Sequence, residues 1–176
     1  MEQCPFCSII EGKLPGYKVY EDDATIAILD INPGTPGHLL LLPKNHIATI
    51  KEMNDMQLAK FFLVARALSV ALYGIGALGV NMHYSMGEIA GQRVPHMLLH
   101  IVPRYKDDKV VFYYEPKKQS EEELKQMQQK IFSVISGSPI QTPQFSQQPQ
   151  VQQRPPEKPE ERKVYKMERP KGGYWD

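Results

Sequence analysis

Residues 91–104, Gly-Gln-Arg-Val-Pro-His-Met-Leu-Leu-His-Ile-Val-Pro-Arg, constrain this chain more than any other stretch. Read as a β-strand over Pro95–Val102, the segment turns positions 96, 98 and 100 to one face, because side chains alternate along a strand. That face carries His96, Leu98 and His100. Two imidazoles flank an aliphatic group that can neither take a proton nor attack phosphorus. The segment has the form of a catalytic strand without its central working residue.

The patterning upstream supplies a sheet for this strand. Tyr17–Tyr20 and Ala24–Asp30 read as strands on either side of a turn, Glu21-Asp22-Asp23. Asn32-Pro33-Gly34-Thr35-Pro36-Gly37 is a loop by composition, and His38–Pro43 is a nearly continuous apolar run suited to a buried central strand. Asn54 or Asp55 caps a helix whose apolar positions are Leu58, Phe61, Phe62, Ala65, Leu68 and Leu72, and Gly74 and Gly76 end it. Gly79–Ser85 reads as a further strand and Met86–Gln92 as a loop. Five strands around one principal helix predict an α+β domain with a five-stranded antiparallel sheet over residues 1–113. Val110–Tyr114 either adds a strand or leads out of the core.

The remaining chain changes character in steps. Residues 114–137 form a helical extension: Ser120-Glu121-Glu122-Glu123 is a capping-box signature, and Leu124, Met127, Ile131, Val134 and Ile135 follow at helical spacing up to Gly137. This helix is expected to pack on the core or on a partner. Residues 138–159 are rich in Gln and Pro and poor in aliphatics, so they cannot bury enough surface to offset their ordering entropy and are expected to be a disordered linker. Residues 160–176 mix Arg162, Lys163, Lys166, Arg169 and Lys171 with Tyr165, Met167, Tyr174 and Trp175. This tail is either a solvated charged segment or a linear anchor for a protein or RNA partner.

Charge and hydropathy exclude several classes. Lys and Arg total 21 against 20 Asp and Glu, which gives no global case for nucleic acid and leaves only a local basic patch open. The start, Met1-Glu2-Gln3-Cys4, lacks the basic region and apolar core of a secretory signal. Leu58–Leu72 is interrupted by Lys60 and Arg66 and is too short to span a bilayer. The expectation is a soluble cytoplasmic protein with no membrane partner.

Cys4 and Cys7 are the only cysteines, which excludes a disulfide framework. A redox Cys-x-x-Cys follows a strand and opens a helix, yet only three residues precede Cys4. The metal reading is stronger: two thiolates for a tetrahedral zinc, completed from His38, His46, His83, His96 and His100. On a strand, His96 and His100 lie roughly 13 Å apart at ~3.3 Å per residue. Metal–nitrogen bonds are only ~2 Å long, so one ion cannot take both. His46 follows the buried strand in a loop, where a ligand can be aimed. His38 opens that strand and is either a core or a site histidine.

Residues 3–105 resemble the histidine triad (HIT) superfamily, whose signature is His-φ-His-φ-His-φ-φ. The resemblance is carried by Cys4-Pro-Phe-Cys7, Tyr17-Lys-Val-Tyr-Glu-Asp-Asp23, Asp30-Ile-Asn-Pro33, Pro36-Gly-His38, Pro43-Lys-Asn-His46, Gly91-Gln-Arg-Val-Pro-His96 and His100-Ile-Val-Pro-Arg104. It implies a small α+β fold, usually a homodimer, that binds purine nucleotides and attacks their α-phosphate with the middle histidine. By the same resemblance Asp30 holds the ribose, Gln92 and His100 lie near the phosphate, and His38 flanks the site. Members with an N-terminal Cys-x-x-Cys often bind zinc through residues matching Cys4, Cys7, His46 and His96.

The departures cluster where the reacting phosphorus would sit. The middle histidine is Leu98, Ser85-Met86 stands where the family usually has Asn, and Arg93 replaces a small polar residue after Gln92. Leucine has no lone pair with which to form a covalent intermediate. His100 is the residual catalytic candidate, though its Cα would lie ~6.6 Å from that of Leu98 along a strand. Two readings follow: a zinc-containing, catalytically degenerate binding module, or a weak nucleotide hydrolase or nucleotidyl transferase using His100 or water.

Overall fold

The run Leu39-Leu40-Leu41-Leu42 is buried at every position because it lies at the centre of a sheet covered on both faces. The computed structural model describes residues 4–112 and 115–138. In chain order its elements are α1 (Pro5–Ile10), β1 (Lys18–Glu21), β2 (Thr25–Leu29), β3 (Leu39–Pro43), α2 (Asp55–Gly74), β4 (Gly79–Tyr84), β5 (Leu99–Arg104) and α3 (Glu121–Gly137). The strands form one five-stranded sheet in the order β1-β2-β3-β5-β4, with every neighbouring pair antiparallel. The α+β architecture expected from the sequence is the one observed.

Strand parity sorts side chains into two cores. Ala27, Leu39, Leu41, Leu99 and Ile101 face α2, where Phe61, Ala65 and Leu72 meet them. Ile26, Ile28, Leu40 and Leu42 face the other way, against Phe6, Ile9 and Ile10 of α1 and against Leu98. The second face also receives Asp30, His38, His83 and His100. α2 starts where the sequence indicates: Asn54 accepts a hydrogen bond from the Gln57 amide at 2.9 Å and Gln57 reciprocates, a capping box. The helix ends at Gly74, and Gly76 takes φ +92°, a conformation open to glycine.

Several boundaries differ from expectation. α1 was not anticipated, because the Cys-x-x-Cys drew a chemical reading rather than a structural one. Its signals were Pro5 in the first turn and apolar Phe6, Ile9 and Ile10 at helical spacing. The last strand runs Leu99–Arg104, not Pro95–Val102, so His96 and Leu98 precede it. Alternation still extends backward: Met97 joins the α2-side core and Leu98 the opposite one. The loop over Met86–Gln92 contains a short 3₁₀ turn, Glu88–Ala90, and another lies at Ile50–Glu52. Val110–Phe112 forms no strand, and Tyr113 and Tyr114 lie outside the described residues.

At 20 residues, α2 extends beyond the apolar stretch Leu58–Leu72 at both ends and is by length and composition apolar enough to cross a membrane. Phe61, Ala65, Ser69 and Leu72 are instead buried against the sheet. α3 is amphipathic as expected, but its apolar residues, Leu124, Met127, Ile131, Val134 and Ile135, are exposed rather than packed on a core. Of the linker expected over 138–159 only Ser138 is described, and the rest of it and the tail over 160–176 lie outside the described residues.

Candidate functional site

Three separate pieces of chain bring Cys4, Cys7, His46 and His96 together. α1 supplies the cysteines, with Cys4 as its N-cap residue and Cys7 inside it. The loop after β3 supplies His46, and the approach to β5 supplies His96. One ligand atom from each lies within 4.8 Å of all the others. Cys4 Sγ is 3.5 Å from His96 Nδ1, Cys7 Sγ is 3.2 Å from His46 Nδ1, and Cys7 Sγ is 3.7 Å from His96 Nδ1. A tetrahedral zinc, with bonds of about 2.3 Å to sulfur and about 2.0 Å to nitrogen, sets sulfur and nitrogen about 3.5 Å apart. The observed spacings fit such an ion.

The surroundings prepare these groups as ligands. His96 is buried, and its Nε2 donates to the Pro43 carbonyl at 2.9 Å. That bond places the proton on Nε2 and turns the Nδ1 lone pair toward the cysteines. Burial lowers the His96 pKa, which keeps the ring neutral. Burial, with the neighbouring Cys4, raises the Cys7 thiol, a cost that a bound cation would reverse.

Beside this cluster opens a cleft of about 440 Å³. Its walls include Phe6, Asp30, His83, Gln92, Arg93, His96, Leu98 and His100. His96, Leu98 and His100 therefore share one face, as alternation predicts, although only His100 lies within the hydrogen-bonded strand. β4 and β5 place His83 directly across from His100.

The family model for the HIT domain matches residues 11–107, more than half of the chain. The chain belongs to the HIT family. A crystal structure of a HIT family member from Bacillus subtilis superposes with a TM-score of 0.69 at 34% identity, covering 80% of this chain and 100% of that one. A zinc-bound histidine triad family protein from Mycobacterium smegmatis gives 0.59 at 33% identity, covering 77% and 97%. The adenosine 5'-monophosphoramidase of Schizosaccharomyces pombe is 36% identical over 101 residues, 57% of this chain and 74% of that protein.

In this HIT protein the hydrogen bonds assign a direction to the cleft histidines. The Gly34 N–H donates to His38 Nδ1 at 3.1 Å. A backbone amide always carries its proton, so His38 Nδ1 must be the acceptor. Neutral His38 then carries its proton on Nε2 and donates to His100 Nδ1, 3.0 Å away. His100 in turn carries its proton on Nε2, the nitrogen left for the cleft. Asp30 Oδ2 is 3.5 Å from His38 Nδ1, too far to compete, while Asp30 Oδ1 accepts from the Asn32 amide at 2.9 Å. Burial pushes His38 and His100 below the ordinary histidine range, so the neutral chain holds near pH 7.

Two cleft side chains also hold the structure around them. Gln92 lines the cleft, but its amide holds the loop: Oε1 accepts from the Gly87 N–H at 2.9 Å, and Nε2 donates to the Ala48 and Val94 carbonyls at 2.8 and 3.2 Å. Leu98 is half-buried and packs with Phe6, Ile9 and Ile10 over the β2–β3 core. Sequence reasoning missed Phe6 as a cleft residue. It also missed the contact between Ser85 Oγ and His83 Nε2 at 3.0 Å, although positions two apart on a strand share a face.

Proposed function

We propose that this chain is a zinc-containing HIT protein that binds a purine nucleotide in a cleft from which the family's covalent chemistry has been lost. One observation carries the reading. Leu98 occupies the central position of the triad, and its remaining neighbour, His100, faces the cleft with a proton rather than a lone pair. A group so protonated donates to a phosphate oxygen but cannot attack phosphorus. Arg93 adds a cation at the same wall, and Asp30 offers carboxylate oxygens for sugar hydroxyls. The four-residue cluster supplies the zinc ligands, and a zinc-bound structural neighbour supports that choice of metal. When bound, zinc would supply a fold-stabilising crosslink between α1 and the approach to β5.

The test uses purified zinc-loaded protein. Titration calorimetry with AMP is expected to show binding. Incubation with adenosine 5'-phosphoramidate is expected to release no AMP and leave no covalent adduct by mass spectrometry. Absence of AMP binding would refute the nucleotide reading.

The second reading is a weak hydrolase or nucleotidyl transferase for nucleoside phosphoramidates or dinucleoside polyphosphates. It draws support from the phosphoramidase name of the fission-yeast relative. It requires AMP release that zinc-loaded His100→Ala abolishes.

We also infer a cytoplasmic homodimer. Phe62, Val70 and Tyr73 on α2 are exposed, as are Ile75, Leu78 and Met82 after it, and β4 is an edge strand of the sheet, which supports docking of a second copy. Sedimentation checks the dimer. A pull-down comparing the full chain with one truncated after Gly137 checks whether the tail recruits a protein or RNA partner.

A further inference from the structure

The metal cluster and the cleft share walls. Phe6 stands between Cys4 and Cys7, and its ring meets the His96 imidazole edge-on, with centroids 5.8 Å apart. Both Phe6 and His96 line the cleft, and so do Arg93 and Val94 on the same approach to β5. α1 has little to hold it otherwise. It is six residues long and has no side-chain hydrogen bond at its N-cap. It is anchored by the packing of Phe6, Ile9 and Ile10 on the sheet, over the same core that Leu98 covers, and by the contacts of its cysteines with His46 and His96.

An isolated helix of this length is unstable in water. An ion held by Cys4, Cys7, His46 and His96 ties α1 to the approach to β5, and so fixes two walls of the cleft relative to each other. Loss of the ion leaves those walls joined by apolar contacts and by weak thiol–imidazole hydrogen bonds, and more of their ordering then falls to the ligand.

We propose that metal binding at this cluster and ligand binding in the cleft are thermodynamically coupled through Phe6 and His96, so that the metal-stripped chain holds a nucleotide more weakly. The proposal rests on the nucleotide reading given above. Coupling is reciprocal, so the nucleotide must raise metal affinity by the same factor.

The experiment measures the AMP Kd of the full chain, zinc-loaded and chelator-stripped, with circular dichroism confirming the fold of each. Zinc affinity is measured in parallel by chelator competition, with and without saturating AMP. Stripping is expected to weaken AMP binding by about tenfold, and AMP to tighten zinc by the same factor. Phe6→Ala keeps all four ligands. Its zinc-loaded form is expected to bind AMP only as well as the stripped wild type, with little further loss on stripping. Equal AMP affinity in loaded and stripped protein overturns the coupling and leaves the nucleotide reading intact. No AMP binding in the loaded protein overturns both. If the stripped chain unfolds, the competition measurement on loaded protein decides, and a zinc affinity indifferent to AMP overturns the coupling.

Discussion

The metal cluster and the cleft lie side by side, and each takes a histidine from the same short run of chain. His96 turns a lone pair toward two thiols because its other nitrogen donates to the Pro43 carbonyl. His100 turns a proton toward the cleft because its other nitrogen accepts from His38. The ring is the same and the presented chemistry is opposite, set each time by the partner behind it. The cluster has a full complement of ligands, whereas the cleft has donors around a leucine. One region groups four side chains that can ligate a metal, and the other sets histidines around a leucine.

The largest expected effect would erase this contrast. Leu98→His restores the His-φ-His-φ-His pattern in one substitution. Since loss of a nucleophile costs on the order of 10⁶ in turnover in a well-studied hydrolase, the variant is expected to hydrolyse adenosine 5'-phosphoramidate at least ~100-fold faster than wild type. A variant no faster than wild type would show that Ser85, Met86 and Arg93 limit the site independently of Leu98.

Removing the complete half comes next. Chelation or Cys7→Ser is expected to lower the melting temperature by on the order of 10 °C, the equivalent of about 3 kcal/mol or more for a chain of this size. An unchanged melting curve would rule out a structural metal.

The third test concerns protons. Burial holds His38 and His100 below their ordinary value of 6.5. In the unfolded chain both take protons near that value, so below it the unfolded state binds more protons than the folded state. Their contribution to stability is present above about pH 6.5 and is lost as the pH falls toward the folded values. Melting temperature should be flat at neutral pH and decline below it, and a His38→Phe/His100→Phe double variant should decline less steeply.

The smallest effect probes the loop beside both regions. Gln92→Ala removes three hydrogen bonds to the backbone. It is expected to cost about 1–3 kcal/mol of stability by denaturant unfolding, with zinc stoichiometry unchanged. No loss would mean that Gln92 does not hold the loop.

The parts of the fold that could be read from the chain follow from local chemistry. The apolar run ending at Pro43 suits a central strand, and Asn54 with Gln57 marks where α2 begins. α1 escaped notice because six residues carry too short a period to stand out beside a conspicuous Cys-x-x-Cys. The boundary of β5 was misplaced because Pro95–Leu98 alternates like a strand, while the ladder to β3 and β4 begins only at Leu99. While strand spacing showed only that one ion cannot take both His96 and His100, grouping the cysteines with His46 and His96 followed from resemblance. The second task of Phe6 did not, since a contact across the cleft leaves no periodic trace.

Sequence alone determined which groups exist: two thiols, five imidazoles and a leucine where a nucleophile would stand. No folding can give Leu98 a lone pair. Tertiary structure decided what each imidazole presents. A histidine has two nitrogens and one mobile proton, and the group behind it chooses between them. For His96 that group is the Pro43 carbonyl, and for His100 it is the Gly34 amide acting through His38. Those partners meet only when the chain is folded, so the direction of each hydrogen bond is a property of the fold.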